Sequence, residues 1–310
     1  MRFNSILDKL KADRPALSSI LIIIGIVLVA MVIGNIVAAG LMIGIGGIGL
    51  EDMSDINSKL MASEAGWWAL MLGQGAAALI TFIVAGVFYW RVIEKKALTE
   101  LNFKAIPKPV IFILVFLTQL CFMPLNGWLQ EVNEGMSLPE SMSALESFFR
   151  GMEDSMAQLT EYLTNFDSFP KMLTGLVVIA VFAGIGEELI FRGLIQRKLY
   201  KGFGNPHVAI WVAAIIFSAI HMQFYGFLPR LMLGALFGYF YLWSGNIWVP
   251  IAAHIFNNGF AVVMFYLSTI GVISTDLEEL ETFPMPAVIA SLVLTGGLLW
   301  YFRKQNSETA

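Results

Sequence analysis

Five ionisable side chains fall inside long apolar runs of this chain. Glu187, Glu188 and Arg192 share one run, His221 stands in a second and His254 in a third. An ionisable residue at the centre of a membrane span costs at least about 2.5–3.5 kcal/mol, so its presence marks a candidate functional site. Glu188 and Arg192 are four apart, on one helix face, and can pair. Glu187 is rotated about 100° from Glu188, so both carboxylates can face a crevice without pointing the same way. The four-residue spacing recurs in Phe217 with His221 and in His254 with Asn258. Pro250, one turn before His254, is placed to kink its span and free a backbone carbonyl.

Two imidazoles, two carboxylates and an amide in a low-dielectric cavity suit peptide hydrolysis. That reaction needs an activated water, a base for its proton and donors for the developing oxyanion. One glutamate, paired with Arg192, would be structural and the other would activate water. Glu188 has the better spacing for the pair, but spacing alone leaves the assignment open. Zinc is a second route: Glu188, His221 and His254 would make a His2Glu set with a fourth position for water. The HExxH signature is absent, so such ligands would come from three helices. Each residue alone has a plainer reading, a bonded core histidine or an intrahelical ion pair, and it is their concentration between 187 and 258 that argues for a site. His207, in the GNPH segment, reads as structural or solvated.

Those residues need a membrane scaffold, and composition supplies it. Of 310 residues 57% are hydrophobic and only 14% charged, against roughly a quarter in ordinary globular chains, and mean hydropathy is +0.74. This excludes a pair of soluble domains and a disordered chain. The 19 basic against 23 acidic residues, net −4, exclude a nucleic-acid partner. The single cysteine, Cys121, excludes an intrachain disulfide and a cysteine-based zinc cluster.

The expected fold is all-α and polytopic, with about eight transmembrane helices near 17–43, 66–90, 109–128, 172–196, 206–223, 227–244, 246–269 and 285–302. The apolar runs are continuous, unlike barrel strands. The first is too long for a cleavable signal peptide, and its Gly40, Gly44 and Gly47 are expected to allow close helix packing. Asn35, Gln74 and Gln119 are expected to bond across helices. With both termini cytoplasmic, residues 2–14 (Arg2, Lys9, Lys11 and Arg14), 91–108, 192–201 and 303–304 place fifteen of the 19 basic residues inside. Lys59, Arg150, Lys171 and Arg230 remain outside, as the positive-inside rule requires. Sixteen of the 23 acidic residues fall in three outer loops. In one of them, about 141–165, Met142, Leu145, Phe149, Met152, Met156, Leu159 and Leu163 recur at helical spacing. That segment is expected to form an amphipathic helix on the outer leaflet or capping the bundle. The chain thus divides into 1–170, with three spans and the acidic loop; 171–302, the polar helical core; and a cytoplasmic tail, 303–310.

At the polar residues the chain resembles the CPBP family of intramembrane proteases, also called the Abi or type II CAAX prenyl endopeptidase family. That family carries Glu-Glu-x-x-x-Arg, then Phe-x-x-x-His, then His-x-x-x-Asn or Asp on successive helices. Here they read EELIFR (Glu187 to Arg192), FSAIH (Phe217 to His221) and HIFNN, which opens at His254 and holds Asn258. The resemblance covers roughly 172–270. It implies an eight-helix membrane fold and a site opening toward the cytoplasm. It makes Glu187 and Glu188 the catalytic glutamates, His221 and His254 their partners and Asn258 the oxyanion donor. Arg192 then orients the carboxylates and Phe217 packs the cavity wall. Metal-free and zinc mechanisms both stay open.

The expected function is an endopeptidase of the cell membrane acting on peptide or protein substrates at the bilayer, with no nucleic acid involved. Two other classes compete. One is a proton-coupled transporter, which would ordinarily show a matching polar set in the first half. The other is a bacteriocin-immunity or scaffold protein without proteolysis.

Overall fold

The computed structural model describes residues 9–10, 13–49, 56–273 and 283–308. Arg2, Lys11, Glu51, Asp52, Asp55 and the acidic residues of 276–281 lie outside the described residues. The elements are α1 (Ala16–Gly46), α2 (Glu64–Ile93), α3 (Pro109–Glu134), α4 (Ser143–Thr164), α5 (Phe169–Phe203), α6 (Pro206–Ala219), α7 (Phe227–Ser244), α8 (Trp248–Thr269) and α9 (Met285–Glu308). Helix α1, α2, α3, α5, α8 and α9 are each long and apolar enough to cross a bilayer. The chain is therefore a multi-pass, all-α membrane protein. Helix α6 departs from expectation: its 14 residues reach only about 21 Å at 1.5 Å per residue, short of a 30 Å hydrocarbon core.

Local chemistry sets the helix ends. The Ser63 hydroxyl accepts from Gly66 N to start α2. The Asn205 side chain caps α6, with Pro206 just inside the helix. Left-handed Gly204 and Gly245 close α5 and α7. Pro124 inside α3 removes a backbone donor, and beside it the Ser291 hydroxyl of α9 donates to Cys121 O at 2.5 Å and accepts from Leu125 N at 3.1 Å. The expected packing glycines are corrected. A Cβ on Gly40 or Gly44 would meet nothing within 4 Å, and Gly47 is the left-handed residue that ends α1. The close contact is at Gly34, where a Cβ would stand 3.1 Å from Ala77 Cα of α2.

Hydrogen bonds between loops sort the helix ends into two groups. At one end Phe103 N donates to Gly245 O at 2.7 Å, and Lys104 Nζ to Asn306 O at 2.6 Å. Arg197 Nε donates to Asp13 at 2.9 Å, and Lys198 pairs with Glu94. This end gathers the starts of α1, α3, α6 and α8 and the ends of α2, α5, α7 and α9. It holds a buried charge network in which Asp13 also takes Lys96, while the Arg197 guanidinium lies between the rings of Trp90 and Phe103. Burial pushes the Asp13 carboxyl up, but Arg197, Lys96 and Lys198 outweigh it and hold the group below the ordinary carboxylate range. We call this the basic end.

At the opposite, acidic end Asn133 Nδ2 donates to Phe224 O at 3.0 Å and Leu228 N to Asn133 Oδ1 at 2.7 Å. Trp67 Nε1 donates to Leu163 O at 3.2 Å. Helix α4 lies at this end. The Phe149 ring stacks on Phe224 at 5.3 Å, and the Tyr162 hydroxyl reaches Leu60 O and Ser63 O.

Candidate active site

The two glutamates of α5 sit in α-helical turns, Ala183–Glu188, between π-helical stretches Leu176–Phe182 and Leu189–Gln196. Such widened turns recur at functional sites. Gly184 and Gly186 bring α5 hard against its neighbours. A Cβ on Gly184 would fall 2.6 Å from Ile255 Cγ1 and 3.1 Å from its backbone nitrogen, and one on Gly186 would fall 2.6 Å from Phe82 Cβ. Close approach of α8 and α2 therefore fixes the helix on both sides of Glu187.

Glu188 is fully buried. Its Oε1 accepts from Arg192 Nη1 at 2.7 Å and from His254 Nδ1 at 2.8 Å. Arg192 Nη2 donates to Gly234 O at 2.9 Å, and the guanidinium lies 4.8 Å from the centroid of Phe217. The second carboxylate oxygen of Glu188, Oε2, is buried with no hydrogen-bond partner among the described residues. With Nδ1 committed to Glu188, His254 turns Nε2 toward Glu187 Oε2, 3.8 Å away.

Glu187 faces open space. It lines a cavity of about 320 Å³ with Phe217, His221, Arg230, His254 and Asn258. His221 Nδ1 lies 2.7 Å from Phe217 O. A carbonyl only accepts, so Nδ1 carries the proton and Nε2 is left as an acceptor. Asn258 Nδ2 donates to Ile179 O at 2.9 Å, while Asn257 Nδ2 donates to Asn258 Oδ1 at 3.1 Å. One amide hydrogen of Asn258 remains for the cavity. A second cavity, of about 440 Å³, lies on the other side of Glu187 and Asn258, among α1, α2 and α5. Asn35 and Gln74 line it instead of bonding across helices, and Asn35 Nδ2 bonds Met31 O of its own helix.

The residues of the three motifs thus come together. Phe217, His221, Glu187, His254 and Asn258 line the cavity, and Glu188 with Arg192 forms the buried pair behind it. Two local expectations are corrected. His221 is in the turn that follows α6 and not in a span running to 223, and this turn brings it level with its partners. Pro250 lies in the first turn of α8, where its missing N–H costs nothing, so it makes no kink before His254.

The expected zinc set of Glu188, His221 and His254 does not assemble. Glu188 Oε1 and His254 Nδ1 are spent on each other, and Glu188 is absent from the cavity lining. Among the described residues no three His, Cys, Asp or Glu side chains are grouped to hold one ion.

The cavity lining extends toward the acidic end. Its outer lining is Gln130 near the end of α3, Gly226 in the turn before α7, and Arg230 in the first turns of α7. Toward the basic end it is closed by buried Arg192, Gln196, Phe237 and Ala253. The mouth is therefore at the acidic end.

Arg230 is the residue sequence reasoning passed over, having counted it as an outer-loop charge. Its Nη2 donates to Gln223 Oε1 at 2.8 Å, whereas Nη1 is buried with no hydrogen-bond partner among the described residues. Its place one turn past the Gly226 bend, seven residues before Phe237, was the available signal.

Residues 169–260 match the family described as type II CAAX prenyl endopeptidase Rce1-like, which bears out the resemblance read from the three motifs. Over 121 residues the chain is 34% identical to "Putative membrane peptidase YdiL" of Bacillus subtilis strain 168, covering 39% of this chain and 48% of that one. Over 96 residues it is 31% identical to the membrane-embedded CAAX protease MroQ of Staphylococcus aureus strain USA300, covering 29% and 38%. It is also 29% identical over 88 residues to "Uncharacterized protein YpbD" of Bacillus subtilis strain 168, covering 27% and 42%. The matched stretch spans less than half the length of each relative. No solved structure matches the chain.

Proposed function

We propose that this chain is an intramembrane endopeptidase that hydrolyses peptide bonds of membrane-associated substrates with a glutamate-activated water. The observation that carries the reading is the separation of the two glutamates. Glu188 is locked between Arg192 and His254, while Glu187 faces a cavity that also holds His221, Asn258 and Arg230. The match of residues 169–260 to a CAAX endopeptidase family supports the same class of reaction.

In this scheme Glu187 takes the proton of a water in the cavity. His254, oriented by Glu188, presents Nε2 to Glu187 and passes the proton toward the leaving amine. The free nitrogen of His221 steadies the attacking water. The spare amide hydrogen of Asn258 and the unpartnered Nη1 of Arg230 bind the oxyanion as it forms. No step of this scheme is routed through a metal.

The test uses detergent-purified protein and membrane proteins extracted from a host lacking it, with new peptide N-termini read by mass spectrometry. Wild type is expected to create termini that Glu187→Gln does not. Identical terminus profiles for the two proteins would refute the proposal.

A further inference from the structure

We infer that the cavity is entered from the extracytoplasmic face. Resting on the proteolytic reading, this makes its substrates outward-exposed stretches of membrane-bound or exported peptides.

Two independent features lead here. The first is which end of the bundle is open. On each helix that lines the cavity, lining residues are followed toward the basic end by buried ones. Glu187 gives way to buried Glu188 through Tyr200 on α5, and Phe237 to buried Phe240 and Tyr241 on α7. On α8, His254 is reached only past buried Val249, Ile251 and Ala253. In the other direction the lining reaches partly exposed Gln130, His221 and Arg230. The short α6 explains the recess. Rising only about 21 Å from the basic end, it leaves its turn, 220–226, below the rim that α3 and α5 build around it.

The second feature is charge. Segments 2–14, 91–108, 192–201 and 303–304 hold fifteen of the 19 basic residues. The loop bonds put the described residues of these segments at the closed end or on the α5 turns leading into it. The orientation rule counts Lys and Arg near span ends and is not a net-charge rule, so pairing of Arg197 and Lys198 with acids does not weaken it. The closed end is then cytoplasmic and the open end is outside. Glu134 and Glu153 stand near Arg230 at that rim, and α4 roofs the turn beside it through Phe149 and Phe224.

Cysteine labelling in intact cells tests this. In a Cys121→Ser background, single cysteines are placed at Gln130 in the cavity mouth, at exposed Ser155 on α4 and at exposed Ser307 at the basic end. The probe is a membrane-impermeant maleimide. Gln130→Cys and Ser155→Cys are expected to react in intact cells, and Ser307→Cys only after permeabilisation. The opposite pattern overturns the inference, whatever the protein's activity. A co-expressed single-span reporter, tagged separately on its outer and inner juxtamembrane stretches, reads the substrate side. Loss of the outer tag alone, absent with Glu187→Gln, supports the inference, and loss of the inner tag alone overturns it. Outward labelling with both tags retained would count against proteolysis while leaving the orientation standing.

Discussion

Glu187 and Glu188 are adjacent in the chain but face different surroundings. Glu188 Oε1 is held by Arg192 at 2.7 Å and His254 at 2.8 Å in a fully buried pocket, while Glu187 projects into open cavity from the preceding helical position. A helix advances about 100° per residue, so neighbouring carboxylates can divide structural and reactive work between them.

That division gives opposite signatures for the two positions. Glu187→Gln keeps the size of the side chain and removes the base, so cleavage should fall by about 10²–10⁴-fold with the melting temperature in detergent nearly unchanged. Glu188→Ala strands Arg192 and His254 without their acceptor. Breaking a buried ion pair costs about 3–5 kcal/mol, so this variant should unfold at visibly lower temperature.

Arg230→Gln removes the unpartnered guanidinium nitrogen from the cavity. Loss of one oxyanion donor typically lowers kcat about 10²–10³-fold, and the effect is expected in kcat more than in KM. Arg230→Lys should restore part of the rate. A variant that binds and turns over substrate as wild type does would remove Arg230 from the site.

Zinc should neither bind tightly nor set the rate. Glu188 and His254 are engaged with each other, and His221 has one ring nitrogen on Phe217 O. Equilibrium dialysis is expected to show no stoichiometric zinc, and cleavage should survive chelators. Tight one-to-one zinc that vanishes in His221→Ala would contradict this.

The three motifs were legible because each rests on a short-range rule: charge is costly in hydrocarbon, and residues four apart share a helix face. Glu188 with Arg192 followed from that spacing alone. Long-range geometry was not. The early end of α6 at Ala219, which places His221 in a turn, depends on how the 220–226 segment packs under α4. The side on which the cavity opens depends on buried closure by Gln196, Phe237 and Ala253, residues with no mark in the sequence. Arg230 was hidden because a charge beside a bend reads as solvated. Gly34, and not Gly40 or Gly44, makes the tight α1–α2 contact because only the packed structure shows which helix face is turned inward.

Asp13 offers a pH-dependent check on the basic end. Its buried carboxylate ties the segment before α1 to Arg197, Lys96 and Lys198, and those cations hold its pKa below the ordinary value despite burial. A carboxyl with a lowered folded pKa contributes stability that is fully present above its unfolded value, about 3.9, and is lost as pH falls through the folded value. Asp13→Asn should therefore melt below wild type at pH 7, by the equivalent of about 3–5 kcal/mol for a broken buried pair. The gap should stay constant down to about pH 4 and then narrow as the wild-type carboxylate takes up its proton. Thermal melts of both proteins between pH 7 and pH 3 measure it, and a gap that widens on acidification would show that Asp13 is not held as the charged partner of Arg197.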